Sequence, residues 1–232
     1  MGMNFTTAEW SVTGPPNIVS SGPGQTATAT VSTDPVEVWA LGMGKPVHVK
    51  AAGRTEITLE IALTAAAGDL TYTDFDTQAV AQVKGGGQVA ICSGYLDGAT
   101  YTYPANDICT ASYTIAGIGN ITTGADSGMS YQTYDVLFGD EVAAASGTLS
   151  KTITYTPEAN DLYVLGQTMP IRTLMYVTKD TALEYAAPAS GFSIDDHQTL
   201  SVDSYDLEGS INVSVGNANS ITITSREILF SS

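Results

Sequence analysis

Along most of the chain, apolar and polar positions alternate one by one. The stretches Thr26-Ala27-Thr28-Ala29-Thr30-Val31, Val36-Glu37-Val38-Trp39, Val47-His48-Val49-Lys50 and Glu56-Ile57-Thr58-Leu59-Glu60-Ile61 all repeat with a period of two. That is the spacing at which successive side chains of a strand point to opposite faces. β-branched and aromatic residues fill many of these positions, and such residues suit a pleated, half-buried surface. The same pattern predicts strands over 89–92, 110–115, 131–138, 148–155, 161–165, 171–178, 210–215 and 221–224. Turn signals separate them at Gly14-Pro15-Pro16, Gly22-Pro23-Gly24, Gly85-Gly86-Gly87, Asp97-Gly98 and Gly216-Asn217. Helical periodicity is confined to one predicted turn over 76–83. Short strands without intervening helices predict an all-β fold of antiparallel sandwiches or jelly-roll barrels, not a parallel sheet.

Laid on itself at an offset of 124, the sequence matches Leu41-Gly42, Pro46, Leu59-Glu60 and Ala62 with Leu165-Gly166, Pro170, Leu183-Glu184 and Ala186. Neighbouring positions are conservative, with Trp39 against Tyr163 and Val47 against Ile171. The expectation is two tandem or stacked β modules, 1–122 and 123–232, meeting within the glycine-rich stretch around 117–131, or one module inserted in the other.

Composition narrows the function. The 232 residues carry 24 Asp and Glu against 8 Lys and Arg, a formal charge of −16. Lysine and arginine occur singly, and residues 1–44 hold neither. Clustered cations that neutralise phosphates are therefore missing, which argues against nucleic-acid binding by charge and against sequence-specific reading of it. An anionic membrane surface is an equally poor partner. With 43% hydrophobic residues the chain is no acidic disordered tail. A folded, acidic, Lys-poor protein points to a salt-rich habitat, where a Debye length of roughly 3 Å at 1 M suppresses self-repulsion.

No stretch approaches the length of a membrane span, and the start, Met1-Gly2-Met3-Asn4-Phe5-Thr6, has no signal-like charge and apolar run. Synthesis in a host cytoplasm is the expectation. Cys92 and Cys109 are spaced for neither a redox motif nor a metal knuckle. They read as two apolar thiols, Cys92 buried and Cys109 more accessible, with a disulfide open to them outside the cell. His48 sits in an alternating strand and His197 in a polar loop. No G-x-S-x-G elbow frames a serine, and Lys84-Gly85-Gly86-Gly87 lacks the Gly-Lys-Ser/Thr ending of a phosphate loop, so it reads as a hairpin. No catalytic residue and no cofactor are assigned. The nearest approach to a metal site is Asp195, Asp196, Asp203, Asp206 and Glu208, with Asp69, Asp74 and Asp76 as a second acidic group, both without EF-hand spacing. Asn4, Asn120 and Asn212 open glycosylation sequons.

Three classes of function fit: a virion structural subunit, a cell-surface β-sandwich binding module, and a β-sandwich hydrolase or lyase working with carboxylates. Length, acidity, Thr and Ala richness and tandem β modules, with strands such as 36–41 and 54–59, resemble the major capsid proteins of membrane-containing icosahedral viruses of haloarchaea. The resemblance implies a jelly-roll shell base bearing a second β domain as a tower, a non-enzymatic subunit located in the virion, and partners that are copies of itself and other virion proteins, such as a second capsid protein. It assigns no residue a role. A tail tube subunit is the alternative, its acidic lumen letting DNA slide and a long loop, 93–106 or 117–130, reaching the next ring.

Overall fold

The computed structural model describes residues 2–7, 9–20, 23–38, 41–42, 44–45, 48–85, 87–124, 130–142, 148–162, 164, 169–186, 204–212 and 220–231. Twelve strands form among them: β1 (Gly2–Thr7), β2 (Glu9–Thr13), β3 (Gly24–Val38), β4 (His48–Ala62), β5 (Gln78–Gly85), β6 (Gln88–Pro104), β7 (Thr110–Thr123), β8 (Ser130–Asp135), β9 (Thr148–Leu162), β10 (Ile171–Ala186), β11 (Ser204–Asn212) and β12 (Ser220–Leu229). One short helix, α1 (Tyr72–Asp76), lies between β4 and β5. The all-β, antiparallel expectation is met.

Ten strands share one open sheet in the order β11-β12-β10-β9-β6-β7-β4-β3, with β5 beside β6 and β2 beside β5. β1 and β8 pair separately. The 1–122/123–232 division falls near the end of β7, and β6 before it pairs with β9 after it in the same sheet.

β6 is the organiser. One of its edges pairs with β7 along nearly its whole length. The other edge forks: Gln88–Tyr95 face β5, and Ala99–Pro104 face β9. Between the two partners sits a bulge at Asp97. An extra residue shifts the side-chain phase by one, so Ala90, Cys92 and Leu96 before it and Ala99, Tyr101 and Tyr103 after it all face inward and are buried. Asp97-Gly98 is therefore a bulge within a strand, correcting its reading as a turn. β10 repeats the device at Met175, keeping Arg172 and Leu174 in the same inward row as Val177 and Lys179.

Where β6 crosses β7 near the start of the fork, Gly94 lies opposite Gly117. A Cβ on Gly94 would meet the Ala116 carbonyl at 1.9 Å, and one on Gly117 the Ser93 carbonyl at 2.1 Å. Only hydrogen fits between backbones this close, and glycines inside strands mark such tight approaches.

Ile57, Leu59 and Ile61 of β4, Ala111, Tyr113 and Ile115 of β7, and Ile153 and Tyr155 of β9 complete the inner face. Leu63, Leu70, Phe75 and Ile18 join them in the same apolar cluster. Tyr101 packs edge-on against Tyr113 and Tyr155 at 6.0 and 6.1 Å. Their hydroxyls tie the covering segments down: Val19 N–H donates to Tyr113 and Leu70 N–H to Tyr155.

Thr71 caps α1 and Asp74 closes a capping box. The turn predicted over 76–83 is displaced. From Gln78 onward the chain is strand, because Ala79 and Ala81 alternate into the core while β5 hydrogen-bonds β6.

The offset of 124 reappears in three dimensions. Shifted by 124, β3 gives 148–162, the bounds of β9, and β4 gives 172–186, within one residue of β10. The pairing Thr28–Thr58 becomes Thr152–Ala182, which is the register observed. Two hairpins of one design thus stand on either side of the β6–β7 pair.

Candidate functional site

Two cations project from the inward row of β10. Arg172, its side chain 2% exposed, sits at the fork where β6 leaves β5 for β9. All five of its N–H groups find acceptors. Nε and Nη2 grip the Asp161 carboxylate at 2.9 and 3.3 Å, Nη2 also donates to Asp97 Oδ1 at 3.0 Å, and Nη1 donates to the Leu96 and Phe75 carbonyls at 2.8 and 3.4 Å. The guanidinium carbon lies 5.0 Å from the Tyr95 ring centroid. The fork costs β6 a neighbour at Leu96, and the guanidinium supplies one. Bulging out Asp97 places its carboxylate beside the charge that needs it. A planar five-donor group suits this position, where a lysine could not satisfy the same set.

Lys179 occupies an open site. Its ammonium bridges Asp69 Oδ2 at 3.0 Å and Glu227 Oε2 at 3.3 Å. Asp69 also accepts from the Tyr155 hydroxyl at 3.2 Å. Around them is a cleft of about 730 Å³, whose wall includes Tyr72, Asp76 and Phe230. Tyr72 is fixed by donating to the Leu174 carbonyl at 2.7 Å, and Phe230 is half-exposed with its ring 6.3 Å from that of Tyr176.

Burial opposes ionisation of Asp69, but the Lys179 ammonium and the Tyr155 hydroxyl outweigh it and hold the carboxyl below its ordinary pKa. Burial likewise opposes the charge on Lys179, and Asp69 and Glu227 overcome it, raising the ammonium above the usual value. Burial, then Asp69, push the Tyr155 phenol upward. These directions are the reverse of those that ready a carboxyl as a general acid or a lysine as a nucleophile near neutral pH. The cleft presents charged groups and ring surfaces, Asp69, Lys179 and Glu227 with Tyr72 and Phe230.

The predicted residues separate. Asp74 is fully buried and structural: it accepts from Asn17 N–H, the Asn17 side-chain amide, Thr71 N–H and the Thr71 hydroxyl at 2.8–2.9 Å. Asp69 joins Lys179 instead, and Asp76 lines the cleft wall. Asp206 and Glu208 flank the irregularity in β11, whereas Asp195, Asp196, Asp203 and His197 lie outside the described residues. Among the described residues, no three His, Cys, Asp or Glu groups converge as metal ligands. His48 opens β4, Lys84 and Gly85 end β5 where it turns into the β5–β6 hairpin as expected, and Asn4, Asn120 and Asn212 lie in β1, β7 and β11.

Neither cysteine is in a disulfide and both are fully buried, so the expected accessibility of Cys109 is overturned. The chain around it is stitched in, Cys109 N–H donating to the Leu137 carbonyl and Leu63 N–H to the Cys109 carbonyl. Cys92 Sγ lies 3.0 Å from the Thr55 carbonyl, and burial first, then Glu56, push its thiol up to about 12.

The outer face of the sheet is tiled with hydroxyls. Thr28, Thr58 and Thr114 form one cross-strand row, and Thr26, Glu60, Ser112, Thr100 and Thr154 the next. A third runs through Thr110, Thr102 and Thr152. Glu60 accepts a hydrogen bond from Thr26 at 3.1 Å. No helix among the described residues is long and apolar enough to cross a membrane. No protein-family model matches the sequence, and no curated protein is significantly similar to it.

Proposed function

We propose that the chain is a virion structural subunit, a capsid protein that assembles with copies of itself and with other virion proteins in a salt-rich environment. The observation carrying this reading is the hydroxyl-tiled outer face. In a chain of charge −16, a monomer kept soluble by its charge has reason to spread carboxylates over such a surface. Here the three rows across β3, β4, β7, β6 and β9 hold mainly Thr and Ser with Glu60 as their acid, and further acids come only at their margins, Glu56 beside Thr30 and Asp180 beside Thr154. A weakly polar face suits repeated subunit contacts, each specific interface burying upward of roughly 1,200 Å². The proposed base and tower, the 1–122 and 123–232 halves as jelly-roll-like modules, draw support from the hairpin repeated once in each half, while β6 and β9 join the halves in one sheet. The tail tube alternative loses its two candidate loops, since Ser93–Pro104 belong to β6 and Gly117–Thr123 to β7.

Electron microscopy of the purified chain in molar salt tests the reading. Closed shells or pseudo-hexagonal capsomers bearing turrets are the expected result. Stacked rings around a DNA-wide lumen would favour the tube, and a stable monomer that binds a glycan would favour a cell-surface module.

A further inference from the structure

β3 and β11 end the main sheet, and among the described residues neither has a strand hydrogen-bonded on its far side, although β1 approaches β3 without pairing to it. Edge strands are ordinarily protected by charges, proline or bulges. β11 has such protection, with Asp206 and Glu208 bracketing a bulge. β3 differs: its irregularity at Gln25 lies ahead of the segment from Thr26, Gly24 to Thr33 contain no charged residue, and its acids and proline, Asp34, Pro35 and Glu37, come only afterwards. Thr26, Thr28, Thr30 and Val31 are all exposed.

The duplicated hairpin shows what this edge can accept. In β9, the equivalent of β3, the residues from Ser150 to Tyr155 pair antiparallel with β6. Shifted back by 124 they are Thr26 to Val31, the bare segment. The outward positions agree in chemistry as well, Ser150, Thr152 and Thr154 against Thr26, Thr28 and Thr30.

We propose that β3 pairs antiparallel with β3 of a second copy across a twofold axis at Thr28, joining two sheets edge to edge. A twofold contact places the same patch on both sides, so it must be self-complementary. The Thr-Ala alternation meets that demand. With Thr28 on the axis, Thr26 faces Thr30 of the partner copy and Ala27 faces its Ala29, so outer faces match outer and inner match inner. This centre also leaves Asp34 opposite position 22, ahead of the start of β3. Two chains of −16 would repel at most surfaces, whereas this segment brings no like charges together. The seam stands on the edge and the duplicated hairpin, independently of the capsid reading, since a twofold dimer could serve other assemblies too.

Cross-linking in about 2 M KCl, where screening acts within roughly 3 Å, tests it. Cys92 and Cys109 are buried, so an added thiol reports its own position. Residues directly opposite on antiparallel strands lie about 4.5–5.5 Å apart between Cα atoms, within disulfide range. Thr28→Cys is expected to form a disulfide-linked dimer under mild oxidation. Thr26→Cys alone is not, but it should cross-link when mixed with Thr30→Cys. Separately, Thr30→Lys should lower the dimer fraction by light scattering at least tenfold while leaving the far-ultraviolet circular dichroism of the fold unchanged. A chain that stays monomeric at millimolar concentration, a dimer in which Thr28→Cys fails to cross-link, or a dimer indifferent to Thr30→Lys would each overturn the seam. Failure to form shells while Thr28→Cys still cross-links would instead count against the capsid reading and leave the seam standing.

Discussion

Arg172 and Lys179 stand on the same face of the same strand, yet their surroundings differ. Arg172 is sealed, its five donors consumed by Asp161, Asp97, Leu96 and Phe75. Lys179 is 15% exposed, and its partners Asp69 and Glu227 are 68% and 47% exposed. Burial decides what each can be. A charge withdrawn from water must be fully matched, and then it is committed to the fold. A charge at a cleft mouth keeps solvent as an alternative partner and stays available to a ligand.

The contrast is broken most severely by Arg172→Met. Asp161 at the fork loses its cation, Asp97 keeps only Arg54 at 3.8 Å, and the Leu96 carbonyl loses its donor, so we expect a loss of about 3–5 kcal/mol. A melting midpoint lower by roughly 10 °C in calorimetry would show it. A loss below 1 kcal/mol would mean that the fork holds without its clamp. Tyr155→Phe comes next. It strands the Leu70 N–H and frees Asp69, so a cost of about 1–3 kcal/mol by denaturant unfolding is expected.

Lys179→Met should cost no more than about 1 kcal/mol, because its partners are largely in water. That small effect should fade further in molar salt, whereas the Arg172→Met loss should persist. The smallest effect is that of pH on the Lys179 clasp. Asp69 is depressed below 3.8, so its contribution is intact above that value and is lost as pH falls through the folded pKa. Lys179 is raised above 10.5, so its contribution is complete below that value and is lost as pH rises through the folded pKa. Stability curves of the wild-type chain and of Lys179→Met should therefore run parallel between about pH 5 and 10 and converge outside it. Curves that stay parallel at pH 3 would remove the ion pair from the account.

The strands were legible because one face of each is buried, and alternation records that directly. The fork was not. Bulges at Asp97 and Met175 break the period of two, so Tyr101 and Arg172 fall out of phase with the residues before or after them. The 78–83 segment misled because Gln-Ala-Val-Ala-Gln-Val satisfies both alanine's helix propensity and strand alternation, and pairing with β6 decided between them. α1 did carry a signal, Thr71 followed three residues later by Asp74, of the capping-box type. Nothing local distinguishes Lys179 from the other lysines. Its site exists because Asp69, Lys179 and Glu227, far apart in sequence, meet beside the inner face.

The fork also makes the sheet a mechanical object with one seam. β9, β10, β12 and β11 join the rest of the sheet through the short ladder from Ala99 opposite Tyr155 to Pro104 opposite Ser150, while β9–β10 and β6–β7 on either side are paired over far greater lengths. Tension in the plane of the sheet and across the strands concentrates where the ladder is shortest. At that joint Arg172 acts as a rivet, fastening β10 to β6 at Leu96 and Asp97, just beyond the last rung. Under load, the four-strand flap should part from the sheet along this line, with the guanidinium resisting it from within the sheet and Tyr72 on Leu174 and Asp69 on Lys179 resisting it from the covering layer.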